Sequence, residues 1–146
     1  MTIQKATSIN DEKICLVADD PVRPSIDASK RIGNHRDVLF AVDENNNIQA
    51  VTCVCYQNSV PTEEEELFQE TEEPDVAIFY TIWSYIPGCA GEFLRNSLDY
   101  IKESFPTIKR FVTLSPKTDM AKKFHTKNGA EVFRENPNTV NYEYKK

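Results

Sequence analysis

No run in this chain of 146 residues is apolar for long enough to cross a bilayer, so no membrane partner is expected. Basic charge is short: 17 Lys and Arg stand against 23 Asp and Glu, a net charge of −6. Nucleic acid is set aside on that ground, because phosphate contacts need a basic face. The deficit is local. Residues 62–74, T-E-E-E-E-L-F-Q-E-T-E-E-P, hold seven Glu and no Lys or Arg, and outside them 17 cations face 16 anions. Cysteine is too sparse and wrongly spaced for a metal knuckle: Cys15, Cys53, Cys55 and Cys89 contain no C-x-x-C pair. Cys53 and Cys55 fall on one face of a strand and read as buried thiols acting as small apolar groups. No metal and no disulfide are expected. The N-terminal M-T-I-Q-K-A-T-S lacks the basic start and apolar stretch of a secretory signal, which makes the cytoplasm the expected location. Repeats and linkers are lacking too, so 1–146 reads as one domain, long enough to bury its own core. Histidine occurs only twice, and the place of the second matters below.

What is present follows strand and helix periods in turn. Residues 2–7 alternate as a short edge strand. Residues 10–18 read as a helix capped by Asn10, and 26–32 as a second, short one after Pro21 and Pro24. D-V-L-F-A-V at 37–42 and I-Q-A-V-T-C-V-C-Y-Q at 48–57 form a hairpin around D-E-N-N-N, whose residues tolerate the left-handed conformation. The acidic run 62–74 reads as an exposed, solvated loop with room for a helical turn. V-A-I-F-Y-T-I-W-S at 76–84 is apolar on both faces, as a central strand is. After P-G-C-A-G, residues 90–104 form a helix with Leu94, Leu98, Ile101 and Phe105 on one stripe. Residues 108–114 are a second central strand. Ser115 is expected to cap the next helix, with Pro116 in its first turn and Gly129 at its stop. Strands at 130–134 and 139–144, joined by N-P-N, leave edges on which a homodimer could form.

Two stretches carry chemistry. The first is the strand–P-G-C-A-G–helix unit. A helix start leaves N–H groups unpaired at the positive end of its dipole, and Gly88 and Gly91 let a phosphate approach the main chain. Its spacing is neither that of a P-loop nor that of the dinucleotide fingerprint. Taken alone, it is a plain strand-to-helix turn. The second is A-K-K-F-H-T-K-N-G-A at 121–130, with His125 in the last turn of an amphipathic helix. The helix dipole is expected to raise its pKa there. Taken alone, a histidine at a helix end is ordinarily a satisfied ring; beside a cofactor cradle it is a candidate proton donor.

Read in order, these elements resemble the GNAT fold of acyl-CoA-dependent N-acyltransferases. That family's turn reads [QR]-x-x-G-x-[GA]. Here Y-I-P-G-C-A at 85–90 matches at Gly88 and Ala90, with Tyr85 where Gln or Arg is usual. Its later helix reads roughly N-x-x-A-x-x-[LF]-Y-x-K-x-G-F. Here T-D-M-A-K-K-F-H-T-K-N-G-A matches at Ala121, Phe124, Lys127 and Gly129, with Thr118 for the Asn and His125 for the Tyr. F-Y-T-I at 79–82, F-V-T-L-S-P at 111–116, F-H-T-K-N-G-A at 124–130 and V-N-Y-E-Y at 140–144 also resemble the C-terminal catalytic part of malonyl-CoA decarboxylases. That part is GNAT-type, and its F-H-x-x-N-G-A histidine is catalytic. Its catalytic serine falls on Trp83, next to Ser84. Its helical N-terminal domain and the long insertion after its S-P have no counterpart in these residues.

The resemblance implies an α/β (α+β) fold: a central mixed, mostly antiparallel sheet of six to seven strands flanked by about four helices. It implies an acyl-CoA, acetyl-CoA first, as co-substrate and a small-molecule or peptide amine as acceptor. The acyl-CoA would lie along splayed strands 76–84 and 108–114, against Ile82, Trp83 and Ser84. The main chain of Gly88, Cys89, Ala90, Gly91 and Glu92 would hold the pyrophosphate. Ser115, Thr118, Ala121 and Phe124 would line the far side. His125 takes the place of the family's tyrosine as general acid for the departing CoA thiolate, and Tyr85 is the second catalytic candidate. No carboxylate stands within 76–84, where many of these enzymes keep a base. Two alternatives stand: decarboxylation or transfer of a malonyl-type CoA ester, and a non-catalytic CoA-binding domain. The acidic run could steer a cationic amine, against the preferred reading of a solvated loop.

Overall fold

The computed structural model describes residues 1–145. Among them, one mixed sheet of eight strands packs against two α-helices and three short 3-10 segments. The strands β1 (Thr2–Lys5), β2 (Arg36–Val42), β3 (Ile48–Gln57) and β4 (Val76–Ser84) form an antiparallel meander. The helix α1 (Ala90–Ser104) crosses to β5 (Arg110–Thr113), which runs parallel to β4. The two-residue strand β6 (Ser115–Pro116) follows, then α2 (Asp119–Lys127), β7 (Ala130–Glu135) and β8 (Thr139–Tyr144). β8 pairs with β5 and β6 on one side and with β7 on the other. β8 is therefore interior. The exposed edge at this end is β7, blunted by a bulge at Phe133.

The sheet is wider than the six to seven strands expected, and regular helix is scarcer. The segments Glu12–Asp19, Ala28–Lys30 and Glu64–Phe68 wind as 3-10 turns. Asp11, not Asn10, caps the first of them, accepting from the Lys13 amide at 3.0 Å. The helix expected to be capped by Ser115 starts three residues later, capped by Thr118. Ser115 and Pro116 pair instead with Val140 and Thr139 of β8, and Thr118 caps α2 through the Ala121 amide at 3.1 Å.

The core has two layers. On one face Phe40, Val51, Ile78 and Leu114 pack beneath Ile14, Val17, Ile26 and Leu67 of the 3-10 segments and their linkers. On the other, Leu39, Val54, Phe79 and Phe111 pack beneath Phe93, Leu94, Leu98 and Ile101 of α1. Cys53 and Cys55 lie buried on the same face, as small apolar groups. Between β3 and β4, Cys53 pairs with Thr81 and Val54 with Phe79, which leaves Tyr80 as an extra residue. Strict alternation would put Tyr80 and Trp83 on opposite faces. The bulge puts both in the layer under the N-terminal segments, while Phe79 and Ile82 pack toward α1.

The acidic run is not the solvated loop expected. Leu67 is buried, and the Glu66 carboxylate accepts from the Thr62 amide and hydroxyl at 2.7 and 2.6 Å. Gln57 donates to Glu66 O at 2.8 Å, and the buried Asn141 donates to Pro61 O at 2.9 Å. At the other end Asn58 donates to Glu73 O at 2.6 Å, so the segment is stitched down at both ends, with Glu63, Glu65, Glu70, Glu72 and Glu73 outward.

Candidate functional site

β4 and β5 stay paired for four residues, from Val76 opposite Arg110 to Phe79 opposite Thr113. The Leu114 amide makes the last bond across, to Phe79 O at 3.0 Å. Beyond that level β4 runs on to Ser84, while β6 leaves with β8. The bulge at Tyr80 sits where the strands part. The gap opens into a cavity of about 550 Å³. One wall is Phe79–Ser84; the facing wall is Leu114, Ser115 and Pro116. Ala90 and Leu94 of α1, and Ala121, Phe124 and His125 of α2 with its cap Thr118, enclose it.

A buried guanidinium holds the gap. Arg23 Nε donates to Tyr80 O at 3.1 Å and Nη2 to Leu114 O at 2.9 Å, one carbonyl from each departing strand. Nη1 donates to Glu64 of the acidic segment at 3.2 Å. Arg23 is itself seated by Asp20, whose Oδ1 accepts the Val22 and Arg23 amides and the Thr81 hydroxyl at 2.7–2.9 Å. Asp20 Oδ2 accepts from the fully buried Arg31 at 2.7 Å. Burial alone would raise the Asp20 carboxyl; these donors together hold it below its ordinary value.

His125 is 6% exposed. Its ring stacks on Tyr142 at 5.0 Å between centroids and meets Phe124 edge-on at 5.1 Å. Nδ1 and the Tyr144 hydroxyl are 2.5 Å apart. The dipole argument pointed to a raised pKa, and the structure reverses it: burial among aromatic rings lowers the value to about 4. A buried imidazolium without a carboxylate partner is costly, and this outweighs a helix end. Burial also pushes the Tyr144 hydroxyl up. Tyr144 OH has no other partner among the described residues, and the tautomer in which it donates to Nδ1 leaves the ring proton on Nε2.

The structure brings most of the sequence-derived candidates together. Ile82, Trp83, Ser84, Ala90, Ser115, Thr118, Ala121, Phe124 and His125 all line the one cavity. Tyr85 does not. It is 42% exposed, accepts from Trp83 Nε1 at 3.1 Å and donates to Asp19 at 2.8 Å, so it braces the N-terminal segment from outside. Gly88 turns the chain with φ +81°, and Cys89 caps α1 with no side-chain hydrogen bond. The first-turn amides around Ala90 and the exposed Glu92 are thus left without a side-chain acceptor at the cap. Gly91 has a packing use as well. A Cβ there would stand 2.6 Å from Asn128 Oδ1. Asn128 accepts from Arg95 of α1 at 2.9 Å and donates to Phe124 O at 2.8 Å, so Gly91 makes room for this clamp between the helices.

Arg23, Asn128 and Tyr144 were missed in the sequence. Tyr144 had a signal, since V-N-Y-E-Y puts Tyr142 and Tyr144 on one strand face, opposite β7 and α2. Arg23 had none: its partners are two carbonyls far along the chain.

No protein-family model matches the chain, and no curated protein matches it significantly. Solved structures do. Malonyl-CoA decarboxylase from Cupriavidus metallidurans superposes with a TM-score of 0.76 at 15% identity, over 98% of this chain and 60% of that one. The enzyme of the same name from Rhodopseudomonas palustris gives 0.74 at 16%, over 98% and 59%. The GNAT domain of S. lividans PAT gives 0.70 at 12%, over 97% and 88%. The chain spans about 60% or less of the decarboxylase chains it matches. At these identities the likeness establishes the fold: the chain has the GNAT fold, in the form shared by acyltransferase domains and malonyl-CoA decarboxylase.

Proposed function

We propose that this protein is an acyl-CoA-dependent acyltransferase, with an amine as acceptor and acetyl-CoA as the first donor to test. The parting of β4 from β5, propped by Arg23 and opening onto His125, carries the reading. It makes a narrow apolar slot in the sheet, with uncapped helix amides near its mouth at Cys89 and Ala90. A thioester with a pyrophosphate-bearing tail fits that pairing.

In the reaction the amine nitrogen attacks the thioester carbonyl carbon, the C–S bond breaks and the sulfur leaves as thiolate. The amine gives up one proton and the thiolate takes one up. His125 is neutral near pH 7, so its part is to aim Nε2–H at the developing thiolate while Tyr144 holds Nδ1. A neutral imidazole donor needs no ionised group in the slot, whose lining contains no Asp, Glu, Lys or Arg among the described residues.

One observation favours a second reading. His125 with Asn128 pinned behind it reproduces the F-H-x-x-N-G-A arrangement, and Ser115, bonded to Thr113 at 2.7 Å, lines the same slot. There a malonyl thioester would lose CO2, and Nε2–H would face the enolate oxygen left behind. The lack of a lining cation for the malonyl carboxylate places this reading second.

The test is calorimetric titration with acetyl-CoA, malonyl-CoA and free CoA, then an amine panel read by thiol release and a CO2-release assay. Acetyl-CoA binding with amine-dependent thiol release supports the first reading, and His125→Ala then lowers turnover at least tenfold with CoA affinity within a few-fold. CO2 release from malonyl-CoA moves the assignment to the second. No binding of any of the three sinks both.

A further inference from the structure

The far end of α1 carries a second cavity, of about 740 Å³, larger than the acyl slot. Ala90 lines the slot and Phe105, just past the helix end, lines this cavity. Fifteen helical residues separate the two by roughly 22 Å at 1.5 Å per residue, so the second cavity is not the acceptor side of the first.

Its lining is chemically uneven. Asp37 lies at its floor, more than nine-tenths buried, on the α1 face of β2. Its Oδ2 accepts from the Tyr56 hydroxyl at 2.7 Å; its Oδ1 has no hydrogen-bond partner among the described residues. Carboxylates are rarely buried without a cation, and none lies within ion-pair distance of this one among those residues. The rim adds Glu72, Glu73 and Asp75. Two cations also border the cavity. Arg36 is committed elsewhere, to Phe68 O at 3.1 Å and Glu70 at 3.7 Å. Lys5 is exposed and makes no ion pair among the described residues; its charge acts weakly on Asp37, whose carboxyl burial keeps above its ordinary range. Among the described residues, four carboxylates thus face one ammonium that is outside any ion pair. The apolar part of the wall is the Tyr56–Phe105 ring pair, 4.9 Å between centroids, with Ile108 beside it. At the neck His35 is held at φ +61°, with Nδ1 enclosed and unpartnered.

We infer that this cavity is a binding site for a small organic cation, an ammonium or amidinium group on an apolar body, with Asp37 Oδ1 as its counter-ion and the Tyr56–Phe105 wall against its body. The cation completes the buried carboxylate's missing bond, and the rim carboxylates draw positive ligands in. The free amine and the lysine side chain of a partner protein present the same group. The site is independent of turnover in the acyl slot, so it stands or falls separately from the acyltransferase reading.

The experiment is amide chemical-shift titration of the full chain at fixed ionic strength with phenethylammonium, Nα-acetyl-lysine amide and, as the anionic counterpart, phenylacetate. Saturable shifts at residues 35–37, 56 and 105–108 with either cation, and none with phenylacetate, are expected. Stronger shifts with the lysine derivative identify a partner side chain as the source; stronger shifts with phenethylammonium identify a free amine. Asp37→Asn weakens the cation at least tenfold. Glu72→Gln with Glu73→Gln, both on the exposed rim, weakens it several-fold and keeps the test alive should the Asp37 variant misfold. Equal shifts with phenylacetate, an Asp37→Asn protein that binds as well as the parent, shifts confined to residues lining the acyl slot, or no response to either cation would overturn the site.

Discussion

Two residues show best how sequence and structure part company. His125 was legible as a candidate, because a histidine in F-H-T-K-N-G-A has a precedent. Its protonation was not, because the rings that bury it come from Tyr142 and Tyr144, distant in sequence. The depressed value sets a stability slope. Between its unfolded value of 6.5 and its folded value of about 4, the unfolded chain binds a proton that the native chain does not. The contribution of a neutral His125 is therefore complete above pH 6.5 and lost as pH falls toward 4, worth roughly 3 kcal/mol. Urea unfolding at pH 7, 5.5 and 4 should show this slope in the parent and a shallower one in His125→Asn. Gly91 was legible as a turn glycine and its reason was not. Gly91→Ala gains about 1 kcal/mol of helix propensity, yet places a Cβ against Asn128. We expect a net loss of about 1–2 kcal/mol by thermal unfolding, recovered in the double variant with Asn128→Ala, which removes the obstructing amide.

At the scale of elements, the periods of 2 and 3.6 located every long strand and both α-helices within a few residues. What they could not show was the bulge at Tyr80, since one extra residue in a strand apolar on both faces leaves no mark in the pattern. They also misplaced the start of α2, because the backbone of β8 recruits Ser115 and Pro116 more strongly than a helix does. Of the Asp20–Arg23–Arg31 assembly, only Arg23 lies between Pro21 and Pro24, while Arg31 falls in the stretch read as a short helix. Arg23→Met leaves Tyr80 O, Leu114 O and Glu64 without their donor. Loss of about 2–4 kcal/mol is expected from the buried carbonyls, together with at least tenfold weaker acyl-CoA binding by calorimetry as the slot loses its shape. Arg23→Lys, which reaches one carbonyl at a time, should fall between.

For the whole molecule, composition and element order led to the right fold, because the central strands, the glycine turn and the helix between them admit few arrangements. The acidic run was misread for want of long-range information: its start is fixed from β7 and β8, by Thr139 on Thr62 O and by Arg134 and Asn141 on the adjoining Val60 O and Pro61 O. Asn141 bridges Pro61 O and Thr113 O and accepts from Asn136 at 2.9 Å. It joins three regions that share no covalent neighbourhood. Asn141→Leu should cost about 2–4 kcal/mol in urea unfolding with an unchanged m-value, since two buried acceptors go unpaired while compactness is kept.

The guanidinium that separates β4 from β5 also has a history along the chain. It belongs to residue 23, and its two carbonyls lie 57 and 91 positions downstream. Contacts of that separation form late, after their loops have closed. During synthesis the slot cannot take its shape until the 110–114 strand has emerged and returned to meet a segment made long before. A polypeptide severed near residue 33 would carry its wedge on one fragment and its cleft on the other, a natural place to divide the protein into two halves that bind acyl-CoA only when reunited.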